Sequence, residues 1–234
     1  MARCGVDDVS KPERLGLFGG TFDPVHNGHL AVAGRVQEAF GLDSIWFIPA
    51  PVPPHKPGHI DNRDISSFAH RAEMLALALG DLSDFTLSRI EDELPKPSYT
   101  IDTLQEIRRR LGSEVQLYFI IGVDAFVEIA TWKDFLQLPA LANFVVISRP
   151  AYQFSEVEAV MIKYFTRYSR HSKECSWLPE DGKGGKMYFL EMEPVAVSST
   201  KIRRMVHDGH PIQNLVPPGV KEYILEHRLY GEII

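Results

Sequence analysis

Apolar runs that read as strands alternate with helix-period stretches along almost the whole chain, and nothing else in the sequence restricts its fold so tightly. "LGLF" (15–18), "SIWFIPA" (44–50), "DFTLSRIE" (84–91), "VQLYFIIG" (115–122), "ANFVVISRP" (142–150) and "MYFLEME" (187–193) are the strand-like runs. Between them lie "HLAVAGRVQEAF" (29–40), "SSFAHRAEMLALALG" (66–80) and "SYTIDTLQEIRRRLG" (98–112), with serines fit for an N-cap before the second and glycines closing the last two. The run 115–122 is continuously apolar, as a strand covered on both faces must be. This pattern predicts an α/β fold, a parallel sheet with helices on both faces. The signal weakens from Ala151 to Lys186: "SEVEAVMIKYF" (155–165) is amphipathic, and the polar, glycine-containing 166–186 reads as a long surface loop. "PVAVSSTKIRRMVHDG" (194–209) and the proline-led "PPGVKEYILEHRLY" (217–230) read as late helices. With no internal repeat and no linker, residues 15–234 are expected to form one domain preceded by a flexible extension, 1–14.

Composition narrows the function classes. At 44% hydrophobic residues a chain of 234 can bury a substantial core. A net charge of −6 argues against nucleic acid as a partner, despite the basic, aromatic "YFTRYSRHSK" (164–173), so an anionic ligand needs a local positive site. Cys4 and Cys175 offer neither a disulfide framework nor a metal spacing. The first fourteen residues lack a signal peptide's apolar core, and no apolar run approaches the roughly 20 residues of a membrane span. A cytoplasmic protein with no membrane partner is expected.

The stretch "GGTFDPVHNGHL" (19–30) sits where the first strand gives way to the first helix. Strand, glycine-rich loop and helix start together place backbone N–H groups against a phosphate. Gly19 and Gly20 permit close backbone approach, Thr21 adds a hydroxyl, Asp23 can order the turn through its own backbone bonds, and Gly28 lets the chain enter the helix beside the ligand. His26 and His29, three apart, can converge on one anion from the loop and the first turn. A metal pair would need a third ligand at good spacing nearby, and the spacing is not the helical i, i+4 zinc pattern. The loop is neither a P-loop nor a G-x-G-x-x-G dinucleotide fingerprint.

The same stretch resembles the G-x-F-D-x-x-H-x-G-H signature of the nucleotidylyltransferase superfamily, and "VSSTKIRR" (197–204) resembles its second element, I-S-x-T-x-I-R. Four further motifs in order, "PPHKP" (53–57), "SYTIDTL" (98–104), "IGVDAF" (121–126) and "TWKDF" (131–135), resemble bacterial nicotinate-nucleotide adenylyltransferase, over about Leu15 to Arg228. The resemblance implies a Rossmann-like sheet of the HxGH type and transfer of AMP from ATP to nicotinic acid mononucleotide in NAD biosynthesis, giving deamido-NAD and pyrophosphate.

It also implies site residues. His26, His29 and Arg203 would act on the reacting phosphates, with Gly19, Gly20, Thr21, Phe22, Gly28, Ser198 and Thr200 around the triphosphate. Gly122 would leave room for adenine, Asp124 would accept from a ribose, and Arg149 would lie on the adenosine side. On the acceptor side, Trp132 would stack on the nicotinate ring, Thr100 and the Lys133 backbone would meet its carboxylate, and His55 and Lys56 would approach its phosphate. Attack would be direct and in line, with Mg²⁺ carried by ATP and water and no protein metal ligand assigned. ATP and the mononucleotide are the expected partners, and homo-oligomerisation stays open. Phosphopantetheine adenylyltransferase or another sibling transferase is the enzymatic alternative, although that family carries Thr-x-G-H in place of His26–His29. A non-catalytic nucleotide-binding module is the alternative from another class.

Overall fold

The computed structural model describes residues 12–51, 65–148, 154–171, 176–193 and 197–231. Eight strands form one sheet: β1 (Arg14–Gly20), β2 (Ser44–Pro49), β3 (Phe85–Leu87), β4 (Gln116–Gly122), β5 (Asn143–Ser148), β6 (Tyr168–His171), β7 (Ser176–Pro179) and β8 (Met187–Glu191). Their order is β3-β2-β1-β4-β5-β8-β7-β6. From β3 to β8 neighbouring strands are parallel, whereas β7 runs antiparallel to β8 and β6 antiparallel to β7.

Alternate side chains of the central strands enter two different cores, as period-2 geometry requires. Leu117, Phe119 and Ile121 of β4 join Leu15, Leu17, Phe144 and Val146 in one. Tyr118 and Ile120 join Ile45, Phe47, Val145 and Ile147 in the other. The first core is closed by Ile90 of α3 (Ile90–Glu93), by Ile101, Leu104 and Ile107 of α4 (Thr100–Leu111), by Val123 and Phe126 of α5 (Val123–Val127), and by Val157, Val160 and Met161 of α6 (Phe154–Tyr164). The second takes Ala33 and Val36 of α1 (Asn27–Phe40), Met74 and Leu75 of α2 (Phe68–Leu79), Ile202 of α7 (Ser199–His207), and Val220 and Ile224 of α8 (Pro218–Glu226). The sheet is thus sandwiched between helical layers, and each fully buried Leu, Ile or Phe contributes about 1.5–3 kcal/mol.

Three expectations need correction. Residues 166–186 are not one surface loop, because β6 and β7 lie within that segment and extend the sheet antiparallel. Their signal is faint since β6, "YSRH", is mostly exposed and its backbone is satisfied by pairing rather than by burial. The extension cannot reach residue 14 either, for Arg14 opens β1 and pairs with Gln116. The run 84–91 splits into the three-residue β3 and a separate turn of helix, α3, with Ile90 buried. His55, Lys56 and Arg149, like the first eleven residues, lie outside the described residues.

Candidate active site

Along the sheet the strand order reverses between β1 and β4, the point where open α/β sheets form a crevice at their carboxyl ends. The 19–30 stretch leaves β1 there, and Gly122 and Asp124 leave β4 beside it. Gly19 is exposed, and a side chain added to it would meet only Phe119, at 4.0 Å, so its backbone is open to close approach. Gly20 has a different reason to be glycine: a Cβ would lie 2.9 Å from the ring of Phe22. Phe22 itself is 2% exposed and holds φ +50°, a left-handed conformation uncommon for an aromatic residue. Its ring packs edge-on against His29, with centroids 5.0 Å apart.

His26 is the N-cap of α1, with His29 three residues on. The two imidazoles stack with centroids 3.7 Å apart and planes 18° apart. The His26 backbone N–H donates to His29 Nδ1 at 3.2 Å. An Nδ1 that accepts carries no proton, so the neutral ring bears its hydrogen on Nε2 and presents a donor there. Gly28 is fixed by packing: a Cβ would stand 2.8 Å from Val197 Cγ1 and 3.0 Å from His26 Nδ1.

That contact brings the start of α7 onto the loop. Ser199 Oγ donates to the Pro24 carbonyl at 2.9 Å, and Arg203 Nη1 donates to the Asp23 carbonyl at 2.8 Å. Ser198 accepts from the Lys201 N–H at 3.2 Å as an ordinary N-cap, and Thr200 Oγ1 lies 3.5 Å from Arg203 Nη2. The structure therefore joins His26, His29, Gly28, Ser198, Thr200 and Arg203 around two adjoining helix N-termini, a setting that favours an anion.

Beneath the loop lies a polar cluster that the sequence did not announce. Asp23 is 1% exposed, and its carboxylate accepts from the Tyr230 hydroxyl at 2.6 Å and the Ser66 N–H at 3.2 Å. It thus orders the turn through distant partners rather than its own backbone. Arg71, also 1% exposed, donates to the carbonyls of Ser66, Thr21 and Pro51 at 3.0, 2.8 and 3.1 Å, tying Thr21 to both flanks of residues 52–64. Burial pulls the Arg71 pKa down while the Asp23 charge opposes that shift; burial, then the same charge, pushes the Tyr230 phenol well above its usual range. An arginine inside an amphipathic helix and a tyrosine near the far end give no sequence cue to either role.

At the first turn of α4, Asp102 binds Lys133 Nζ through both carboxylate oxygens, at 3.0 and 3.1 Å, and the ammonium lies 4.9 Å from the Tyr99 ring centroid. This bridge draws the 131–134 segment onto the end of α4 that carries Thr100. Trp132 is half-buried, edge-on to Phe119 at 6.2 Å. Glu91 of α3 accepts from Thr103 Oγ1 at 2.9 Å and Ser98 Oγ at 3.4 Å, bracing the same helix start, and burial raises its pKa. A Cβ at Gly122 would lie 2.5 Å from Asp124 Oδ1, so this glycine makes space for the Asp124 carboxylate rather than simply for a ligand.

Paired helix N-termini at a Rossmann-type crevice, with two imidazoles at the glycine-rich loop and the α7 guanidinium against it, are an arrangement suited to nucleotide phosphates, and the fold is that of the nucleotidylyltransferase class. The sequence profile described as cytidylyltransferase-like matches residues 17–205, and the chain belongs to that family. A relative from Desulfotalea psychrophila, named a probable nicotinate-nucleotide adenylyltransferase, is 40% identical over 93% of this chain and 100% of its own. One from Thermus thermophilus with the same name is 38% identical over 93% and 99%. Among solved structures, the Plasmodium falciparum nicotinic acid mononucleotide adenylyltransferase complexed with NaAD superposes with a TM-score of 0.68 at 18% identity, covering 93% of this chain and 97% of that one. The same protein complexed with APC gives the same score.

Proposed function

We infer that this chain is a nicotinate-nucleotide adenylyltransferase, transferring AMP from ATP to nicotinic acid mononucleotide with release of pyrophosphate and formation of deamido-NAD. The observation that carries the reading is the convergence of His29, whose Nδ1 accepts from the His26 N–H, and the Arg203-bearing start of α7 upon one loop at the end of β1. Full-length likeness to relatives of that name supports the choice of acceptor.

The acceptor's phosphate monoester is already an anionic nucleophile near neutral pH, so the reaction needs positioning and charge stabilisation more than a base. Its oxygen attacks the α-phosphorus of ATP, the bond to the β-phosphate oxygen breaks, and pyrophosphate leaves with that electron pair. His29 Nε2–H and His26 donate to oxygens gaining charge in the transition state. Arg203 and the N–H groups of α7, with Thr200, neutralise the departing pyrophosphate, and the backbone at Gly19–Phe22 lines its approach. Asp124 accepts from the ribose, with Gly122 and Arg149 on the adenosine side.

Trp132 carries the nicotinate ring, Thr100 and the Lys133 N–H bind its carboxylate, and His55 and Lys56 serve the mononucleotide phosphate. Because Lys133 Nζ already sits on Asp102, carboxylate recognition falls to dipoles, not to the ammonium. Mg²⁺ carried with ATP would supply charge shielding for the polyphosphate, and no protein ligand is assigned to it. The buried Asp23 carboxylate already accepts from the Tyr230 hydroxyl and the Ser66 N–H, which supports leaving it out of any role toward the ion.

The test is to supply ATP, Mg²⁺ and each acceptor in turn and follow pyrophosphate. Turnover with nicotinic acid mononucleotide is expected. Turnover only with phosphopantetheine would reassign the enzyme, and ATP binding without turnover on any acceptor would make it a binding module.

A further inference from the structure

The buried Asp23 carboxylate has a neighbour it does not fully reach: Arg203 Nη1 stands 4.0 Å from Oδ2 while bonding the Asp23 main-chain oxygen at 2.8 Å. At 1% exposure the carboxylate must find its donors inside the protein. Oδ2 has the Ser66 N–H and Oδ1 has the Tyr230 hydroxyl, at 2.6 Å the shorter of the two. Arg71, the buried cation close by, has Nε, Nη1 and Nη2 each engaged with a carbonyl, whereas Arg203 is half-buried. Of the two cations close by, Arg203 is therefore the one able to respond if a donor to Asp23 is lost.

The route by which Tyr230 arrives is itself unusual. After α8 ends, Arg228 and Tyr230 adopt φ +50° and +64°, left-handed values that non-glycine residues seldom take, and two lie within three positions. Packing must hold them there, and the hydroxyl is delivered beneath the glycine-rich loop, 4.0 Å from Met74 Sδ.

We propose that Tyr230 is a positioning residue for the phosphate site: by saturating Asp23 it keeps the Arg203 guanidinium from closing onto that carboxylate and leaves it available to the triphosphate. The proposal rests on the adenylyltransferase reading for its assay but concerns the internal competition for Arg203. Removing the hydroxyl leaves Oδ1 charged, buried and without its donor. Arg203 then pivots toward Asp23 and away from ATP.

Tyr230→Phe is expected to lower kcat/KM for ATP about tenfold or more while KM for the acceptor mononucleotide changes less than about twofold. In an Asp23→Asn background the competing charge is gone, so adding Tyr230→Phe should change kcat/KM for ATP by less than about twofold. Equal loss in both backgrounds would overturn the proposal, as would parallel changes for ATP and acceptor, which a general loosening of the fold would give. If Tyr230→Phe alone does not fold, the comparison of Asp23→Asn with the double variant decides: a tenfold further loss in the double variant sinks the idea. Should the wild type release no pyrophosphate with any acceptor, the adenylyltransferase reading fails separately. Titration with ATP then judges the proposal, with Kd expected to rise about tenfold in Tyr230→Phe and to be unmoved between Asp23→Asn and the double variant.

Discussion

His29 illustrates how a single side chain acquires its chemistry from its neighbours. The His26 N–H fixes the acceptor nitrogen, the His26 ring covers one face, and Phe22 stands against an edge, so the remaining nitrogen is a pre-oriented donor. Replacing His29 by Ala should cut kcat by about 10²-fold with a far smaller change in ATP affinity; a rise in KM alone would make it a uniform binder. Lys133 makes the contrasting case, since its ammonium is spent on Asp102. A carboxamide turns NH₂ donors toward Thr100 and the Lys133 N–H, leaving a donor unpaired at roughly 1–3 kcal/mol per contact. Nicotinic acid mononucleotide should therefore be preferred over its amide by about 10²-fold or more in kcat/KM, and Lys133→Ala should keep that preference. Loss of selectivity in Lys133→Ala would show that the charge reads the acid. At this scale the loop histidines and the start of α7, which the structure brings together, were legible because each belongs to a local motif. Asp23's real partners, Arg71 and Tyr230 were not, because a contact across 50 or 207 positions leaves no periodicity to read.

Most helices and all the parallel strands follow from hydrophobic period, capping serines and stop glycines. The failure at β6 and β7 came from two four-residue strands too short to show a period: the edge strand β6 is mostly exposed, and β7, whose Ser176 and Trp177 are buried, lies between β6 and β8. The joint is tight where it matters: a methyl on Gly185, just before β8, would overlap the Ala142 carbonyl oxygen. Gly185→Ala should cost about 3 kcal/mol or more in thermal unfolding. Gly182→Ala, at φ +68° with open space around it, should cost only about 1 kcal/mol. Equal losses would show that the close approach is unimportant. Between α3 and α4, burial lifts the Glu91 pKa, so the native state disfavours its ionisation. Stability tied to this group is complete below the carboxyl's unfolded pKa of about 4.3 and is lost as pH rises through the higher folded value. The Tm of Glu91→Gln relative to wild type should accordingly climb between about pH 4 and pH 7. A flat difference across that range would contradict the burial argument.

At the scale of the molecule, one sheet feeds both cores, and Trp177 of the antiparallel edge is buried in the same core as Leu15 of β1. We propose that the chain from Arg14 onward behaves as one domain: fluorescence from Trp46, Trp132 and Trp177 and far-UV circular dichroism should report a single coincident unfolding transition, whereas an early change confined to fluorescence would mark a separable edge unit. The contact of α7 with the glycine-rich loop has an implication for how such a chain is made. Arg203 and Tyr230 reach Asp23 across 180 and 207 positions. On a ribosome the glycine-rich loop emerges first and waits, through the synthesis of every intervening strand, for the groups that finish it. A nascent or prematurely terminated chain carries the recognisable histidine motif yet lacks the groups that finish the Asp23 turn, which arrive only when translation has passed the final helix.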